Sequence, residues 1–528
     1  MPTPPARLYR LDGPALQDLV ETLQAAFGLQ LDPQPDTTLT WLDSFDWRLW
    51  RRGWTLEDAA EPGGGHRLTL RALDDGRVVA WQHVEAAPDF ARRLPDGRLR
   101  ALLAKVLEPR RLLSLQAFAA GGYAGGLRNA DRKLVARLQL LHLDPTGEPA
   151  GECGALSLLR VAPVLGYEDD SRALRRHLKH APGITRLTER ALLAQVAACA
   201  GRAPGDYSSR FHVPLDPRQD TDSALRRILL DLLESLRRNI DGTLADLDPE
   251  FLHDLRVATR RSRSLLTGVR KVFPDEALQP FLTDLKWLFA ATGPCRDLDV
   301  YLLALDDYAA RLPAGLRPHL APFADWLRAE KARAHAALAE VLTSGRLDAF
   351  LTAWQAWLSE RDDAALTPRG HRPVGEVAAR AILKRYRRLV DDGHRLDAHS
   401  PPEAYHRLRK DGKKLRYLME FFAALFPRKP WKRLLRTHKR LQEVLGDFQD
   451  LQIQADRLLA AGRALGHPAD GRCPPDTLLA LGMLAADLQQ RQRHALDAFD
   501  ATFRELASDA VADELQRLCR QVKRAARA

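Results

Sequence analysis

The sequence predicts two folds in one chain, an α+β part built on an antiparallel barrel or tunnel, followed by an all-α part of duplicated four-helix bundles. Three observations predict this. The hydrophobic period is close to two over much of the first ~200 residues, it becomes helical beyond them, and the helical text repeats itself at a fixed offset.

The chain has 528 residues, too many for one compact core. Apolar residues make up 45% and charged residues 28%, which excludes collagen-like and wholly disordered chains. Lys and Arg total 80 against 69 Asp and Glu, and the resulting +11 points to an anionic partner. The five cysteines, Cys153, Cys199, Cys295, Cys473 and Cys519, are odd in number, widely spaced and without a C-x-x-C. They read as reduced thiols in a cytoplasmic protein. The opening MPTPPARLYRLDG has no basic segment followed by an apolar run, and Arg or Asp breaks every apolar stretch short of spanning length. Neither a signal peptide nor a membrane span is expected.

In the first part, residues 67–73 (RLTLRAL), 77–84 (RVVAWQHV), 133–143 (KLVARLQLLHL) and 155–161 (ALSLLRV) read as strands with one buried face. Turn signals separate them, among them Asp74-Asp75-Gly76 and Asp144-Pro145-Thr146-Gly147. Helical text occurs at residues 14–27 and 172–180. The glycine runs at 63–65 and at 121–126 lack a following Lys-Ser/Thr and read as flexible loops rather than phosphate cradles. Trp41, Trp47, Trp50 and Trp54 read as packing residues of a barrel wall. The first domain is expected over 1–201 and a linker rich in Pro and short polar residues over 202–221.

Beyond the linker, Leu225, Ile228, Leu229, Leu232, Leu233, Leu236 and Ile240 form one helix face, with Asp222 or Ser223 as N-cap and Gly242 as stop. Similar text continues over 222–520, interrupted at 361–375 and 467–476. Within it, the segment from His253 to Arg263 (HDLRVATRRSR) recurs from His406 to Arg416 (HRLRKDGKKLR) at an offset of 153 residues. Lys286 and Lys439, Gly293 and Gly446, and Asp297-Leu298 and Asp450-Leu451 obey the same offset. Several matches sharing one offset indicate two pseudo-repeats, 222–365 and 374–520.

On a helix the first, fourth, eighth and eleventh positions of this segment lie within about 80° of each other. Each copy therefore aligns one histidine and three cations: His253, Arg256, Arg260 and Arg263, then His406, Arg409, Lys413 and Arg416. A solvated helix face usually places carboxylates three or four residues away. Of these six cations only Arg416 has one, Glu420. The stripes therefore favour an external anion. Arg261 and Lys414 flank them, Lys286 and Lys439 share their offset, and two further acid-free basic runs contribute Lys384 and Arg388, and Lys432 and Arg436. Together these sixteen residues are the candidate lining of a basic groove.

Arginine pairs with phosphate oxygens as a planar fork, lysine supplies a point charge, and histidine beside phosphate favours its charged form. Such a lining suits a linear phosphate polymer. A nucleic-acid reader would interleave aromatics or base-reading amides, and the stripes hold none, although Tyr405 and Tyr417 flank the second.

The paired H-x-x-R segments, with Gly293…Arg296-Asp297-Leu298 and Leu445-Gly446-Asp447…Asp450, resemble the signature of the CHAD domain, the conserved-histidine α-helical domain. The resemblance covers roughly residues 220–520. It implies two four-helix bundles facing across a basic surface, inorganic polyphosphate as partner, and association with polyphosphate granules in the cytoplasm, without catalysis. The first part resembles, more faintly, the CYTH or triphosphate-tunnel fold, through Trp41-Leu42-Asp43 with Leu49…Gly53…Leu56, through Arg67-Leu68-Thr69-Leu70-Arg71 and through Pro163…Gly166-Tyr167. The E-x-E-x-K that holds a divalent metal in that family is absent, since residues 7–12 read RLYRLD. A degenerate tunnel without metal chemistry is the favoured reading; hydrolysis through other acids, such as Asp43 or Glu152, is the alternative.

No P-loop, G-x-S-x-G, H-E-x-x-H or metal-ligand cluster occurs, so neither a cofactor nor a catalytic residue is assigned. His212, His319, His335, His371 and His494 are solitary and read as surface or core residues. The expected function is polyphosphate binding by the helical part. Its rivals are a triphosphate or polyphosphate hydrolase that uses the helical part to hold substrate, and a generic polyanion or nucleic-acid binder. No membrane partner is expected.

Overall fold

The structure is a computed structural model that describes residues 5–12, 16–147, 150–362, 366–397, 399–466 and 474–528. The chain divides into two compact units, 1–209 and 210–528.

Among the described residues the first unit is built on nine strands: β1 (Arg7–Leu11), β2 (Gln30–Asp43), β3 (Trp54–Ala60), β4 (His66–Ala72), β5 (Val78–Val84), β6 (Leu113–Arg128), β7 (Leu134–Pro145), β8 (Leu156–Pro163) and β9 (Ile184–Leu187). They form one sheet in the order β5-β4-β3-β2-β6-β7-β8-β1-β9, and every pairing is antiparallel. The sheet is curled. Strands β3 and β8 stand four places apart, about 19 Å if the sheet were flat. Yet Arg160 Nη2 on β8 lies 2.9 Å from Glu57 Oε1 on β3. The inner face therefore closes on itself and encloses charged side chains.

The four strands expected from alternation are β4, β5, β7 and β8. The glycine run at 121–126, expected in a loop, lies instead inside β6. A Cβ on Gly125 would run into the Gln30 carbonyl and one on Gly122 into the Leu140 carbonyl, so these glycines allow close approach of neighbouring backbone. Trp41 and Trp47 are buried in the wall, and Trp47 Nε1 donates to Asp206 Oδ1 at 2.6 Å. The reading of five reduced cysteines is corrected: Cys153 and Cys199, 46 residues apart, form a disulfide. Cys295 and Cys519 are buried free thiols, and Cys473 lies outside the described residues.

The second unit is helical. Its first long helix, Thr221–Arg238, is capped earlier in the chain than expected, at Asp220 rather than Asp222 or Ser223: Asp220 accepts from the Ser223 amide at 2.8 Å, while Asp222 pairs with Arg226 at 2.6 Å. Gly242, expected to stop this helix, belongs to the short helix Ile240–Leu244, where a Cβ would strike the Phe251 ring.

Two apolar cores run through this unit, and neither belongs to a single repeat. The larger joins Leu225, Leu255, Leu285 and Trp354 of the first repeat to Ile382, Leu415, Leu441 and Leu518 of the second. The smaller joins Leu298, Tyr308 and Phe323 to Leu458, Leu481 and Leu488. The helix Arg428–Leu465, 38 residues long, feeds both, with Trp431, Leu441 and Phe448 in the first and Leu451, Ala455 and Leu458 in the second. Among the described residues no helix is long and apolar enough to cross a membrane.

Candidate anion-binding face

The two stripes sit on helices Pro249–Gly268 and Pro402–Phe421. Each begins with proline at its first position, where a missing amide costs nothing. The first is also capped by Asp248, which accepts from the Glu250 amide at 2.9 Å. Phe251, Leu252, Leu255, Ala258 and Leu265 bury one face of the first helix; Tyr405, Leu408, Leu415 and Leu418 bury one face of the second. The helices pack against each other in the larger core. Burial of these apolar faces leaves the cation rows at the margin of the core, where every stripe residue is half-buried rather than freely exposed.

The packing brings equivalent positions together. Arg260 and Lys413 correspond under the 153-residue offset. Arg260 lies 5.9 Å from the ring centre of Tyr417, one turn beyond Lys413, and its charge acts on the Lys413 amine. Burial first, then Arg409 and Arg260, with Arg416 adding to them and Asp450 opposing, push Lys413 down to about 8. Burial likewise pushes Arg256 down to about 10, with Arg260 and Arg296 adding to the effect and Asp297 opposing it. The rows thus converge at their midpoints and repel.

Part of this charge is neutralised by carboxylates, two of the pairs reaching across helices and that of Arg416 with Glu420 lying within one. Arg409 Nη2 reaches Asp450 Oδ1 at 2.8 Å, Arg261 reaches Glu420 at 3.1 Å, and Arg416 reaches Glu420 at 3.5 Å. His406 Nδ1 lies 2.5 Å from Gln449 Oε1. Arg256 is held differently: its Nη1 donates to the Phe289 carbonyl at 2.9 Å and to Thr292 Oγ1 at 2.8 Å, with its guanidinium 4.4 Å from the Phe289 ring centre. These are neutral acceptors, so the charge of Arg256 is oriented without being cancelled. Among the described residues, Arg260, Arg263 and Lys413 make no ion pair. Arg263 lies 5.9 Å from the Phe289 ring centre. The Nε atoms of Arg260, Arg261, Arg409 and Arg416 are buried without a hydrogen-bond partner. Unmet donors beside excess positive charge are what an incoming anion would satisfy.

Other predicted residues are placed variously. Lys286, Lys432 and Lys439 are exposed. On the helix Arg428–Leu465, Lys432, Lys439 and Asp450 fall within about 20° of one another, so the two lysines share the row that meets Arg409. Lys414 turns away from the stripe to Asp411 at 2.8 Å, and Arg388 approaches the same carboxylate at 3.8 Å. Arg436 lines a separate cleft with Arg433, Arg440 and Glu514, which Lys439 borders. Lys384 lines a third, described below. His253 is half-buried on the first helix. The partners Asp450, Gln449 and Phe289 went unassigned from sequence, as did the reach of Glu420 to Arg261; its place four residues after Arg416 was read there. One signal was available for Asp450: Arg256 with Asp297 and Arg409 with Asp450 share the offset of 153.

In the first unit, the inner face of the sheet holds Glu57, Arg71 and Arg160, which Glu189, the first residue of the helix Glu189–Cys199, joins. Glu57 accepts from Arg71 at 2.8 Å and from Arg160 at 2.9 Å, and Arg160 also reaches Glu189 at 3.1 Å. Burial would raise Glu57, but the two guanidiniums win and hold it near 2. Burial wins at Glu189, which is raised. Asp43 is buried and raised to about 7; it accepts from the amides of Ser44 at 2.7 Å and of Leu49 and Trp50 at 3.0 Å, securing the short helix Arg48–Arg52. Glu152 is exposed. Among the described residues no group of three or more His, Cys, Asp or Glu is placed to hold a metal ion.

Residues 227–459 match the family model described as CHAD domain. An uncharacterized protein of Mycobacterium tuberculosis, matched in two strains, is 27% identical over 332 residues, 60% of this chain. The chain spans 61% of the length of that relative. Among solved structures, the CHAD domain from the plant Ricinus communis is 25% identical with a TM-score of 0.46, covering 57% of this chain and 97% of that one. A Hippeastrum protein named as an adenylyl cyclase and described as having a dominant triphosphatase activity is 14% identical with a TM-score of 0.25, covering 34% of this chain and 87% of that one.

Proposed function

Given that residues 227–459 form a CHAD domain, we propose that the convergent stripes bind a linear inorganic polyphosphate. The observation that carries this reading is the meeting of Arg260 with Lys413, equivalent cations from two repeats, neither in an ion pair among the described residues. Like charges brought together at the edge of a core cost stability, and a polymer bearing a negative charge on every unit relieves that cost at both rows at once. His406, oriented by Gln449, and the Arg260 guanidinium, whose Nε has no hydrogen-bond partner, supply directed hydrogen bonds. Two rings beside the stripes, Tyr417 and Phe289, lie against arginines and so are not offered to a base for stacking. Association with polyphosphate granules follows from the same reading.

Of the acids named for the hydrolytic reading, Glu152 is exposed and Asp43 is not free. Asp43 is committed to backbone amides and the inner carboxylates to arginines. Phosphate release from tripolyphosphate with Mg²⁺ or Mn²⁺ tests it directly.

Binding is tested with the full chain on immobilised long-chain polyphosphate. Retention is expected at low salt and should fall steeply as salt rises. Arg260→Glu with Lys413→Glu should abolish it while leaving the helical signal intact, since neither side chain makes an ion pair among the described residues. Retention of this variant at wild-type strength would refute the assignment. Displacement of polyphosphate by DNA at equal phosphate concentration would make the face a generic polyanion groove.

A further inference from the structure

A second cationic cleft opens on the helix Val374–Gly393, on residues that belong to neither stripe. Its volume is about 350 Å³, and Pro368, Arg369, Arg372, Val377, Arg380, Ala381 and Lys384 line it. No lining residue is acidic. The nearest acid on this helix is Glu376, which Arg527 engages at 2.6 Å and Arg380 only at 3.6 Å. Arg369, Arg372 and Lys384 make no ion pair among the described residues. Burial, with Arg372 and Arg380 adding, lowers Arg369, so the guanidiniums are crowded as well as unneutralised. Beyond Arg380 and Lys384 the cleft continues into a further hollow lined by Arg387, Arg388, Arg395 and Lys523, where Asp391 and Asp392 restore balance.

We propose that the cleft formed by Arg369, Arg372, Arg380 and Lys384 is a second anion site, taking a short inorganic phosphate oligomer or the free end of a longer one. The size fits a compact ligand, at the lower end of the ~300–1,000 Å³ of small-molecule sites. Three guanidinium forks and one ammonium match several phosphate oxygens. The apolar part of the lining is Pro368, Val377 and Ala381, which offers no ring for a base, so an inorganic phosphate is favoured over a nucleotide. The acids downstream confine the ligand to the upper end of the cleft.

The test is calorimetric titration of the full chain with tripolyphosphate at low salt. The wild type should show two classes of site. Arg372→Glu with Lys384→Glu should lose one and keep the other, and both positions are exposed, so the helix has little reason to melt. The milder Arg372→Gln with Lys384→Gln should weaken the same class by about tenfold, the loss of roughly one charge-assisted contact. Arg260→Glu with Lys413→Glu should remove only the stripe site. An unchanged stoichiometry and affinity in both cleft variants overturns the second site, as does a wild type with one class of site that the stripe variant abolishes. Loss of the stripe class alone in the stripe variant leaves this proposal standing, whereas persistence of both classes there refutes the stripes and not the cleft.

Discussion

Binding of polyphosphate to the stripes should weaken between about pH 7 and pH 9, and Lys413 sets the amount. Its amine is held down at about 8, against an ordinary 10.5, by burial and by Arg409, Arg260 and Arg416. At about pH 9 roughly nine-tenths of these amines are neutral in the free protein, whereas at about pH 7 roughly one-tenth are. A bound polyanion favours the charged form and restores the ordinary value, so binding takes up a proton. Reprotonation costs about tenfold in affinity at about pH 9 and almost nothing at about pH 7. The side chain is half-buried, and screening by solvent makes tenfold the upper end. The sign for the free protein agrees: a depressed lysine disfavours the fold while charged, and that cost fades as pH rises from 8 towards 10.5. The assay is calorimetric titration across this range in buffers of different ionisation heat, which reads proton uptake directly; about half a proton is expected near pH 8. Lys413→Arg keeps its charge and should flatten the profile. Arg256, at about 10, enters only above this window. A flat wild-type profile, or the same slope in Lys413→Arg, refutes the reasoning.

Two further outcomes are expected. Glu57→Ala leaves Arg71 and Arg160 facing each other in the closed sheet and should destabilise the first unit by about 3–5 kcal/mol in denaturant melts. Because Glu57 is depressed to about 2, its contribution is present above its ordinary 4.5 and lost as pH falls from there towards 2, so acid melts of the wild type and the variant should converge. Gly412→Ala puts a methyl group into Gln442 and beside His438, whose Nε2 lies 2.8 Å from the Gly412 carbonyl, and should cost about 1–3 kcal/mol by thermal melting while shifting the second stripe.

The stripes were legible because they are local: helical geometry alone puts His406, Arg409, Lys413 and Arg416 in one row. What neutralises them was not. Asp450 and Glu420 reach Arg409 and Arg261 across helices, at separations of 41 and 159 residues. Period two revealed β4, β5, β7 and β8, whose faces differ in burial. It failed at β2, where Pro33 and Pro35 break the alternation beside a register shift between Gln34 and Thr37, and at β6, where four glycines read as a loop but serve close strand packing. The Cys153–Cys199 pairing depends on which segments meet, and spacing does not encode that. Lys384 was grouped with the stripes on composition. The side of its helix, fixed by packing against Asp509–Ala525 and Pro402–Phe421, assigns it to another cleft.

The two copies are unequal in a way that bears on how the fold tolerates its own charge. Glu420 serves Arg261 from the first copy and Arg416 from the second, and its counterpart under the repeat offset is Thr267, so this acid exists once. Asp450 closes on Arg409, while Asp297 makes no such pair with Arg256, whose guanidinium is taken by a carbonyl and a hydroxyl. Among the described residues, two of the three cations in the second row are thus paired with a carboxylate and Arg256, Arg260 and Arg263 of the first are not. Complete pairing in both would leave no field to attract an anion; none in either would set six cations against one another at the seam of the larger core. Neutralising one row lets the helices pack, and the other row keeps the charge. An anion arriving at the face meets Arg256, Arg260 and Arg263 without displacing a carboxylate, and only its extension onto Arg409 has to compete with Asp450. For the proposed polyphosphate binding, the order of engagement expected from that difference is the first copy, then the Arg260–Lys413 midpoint, then the second.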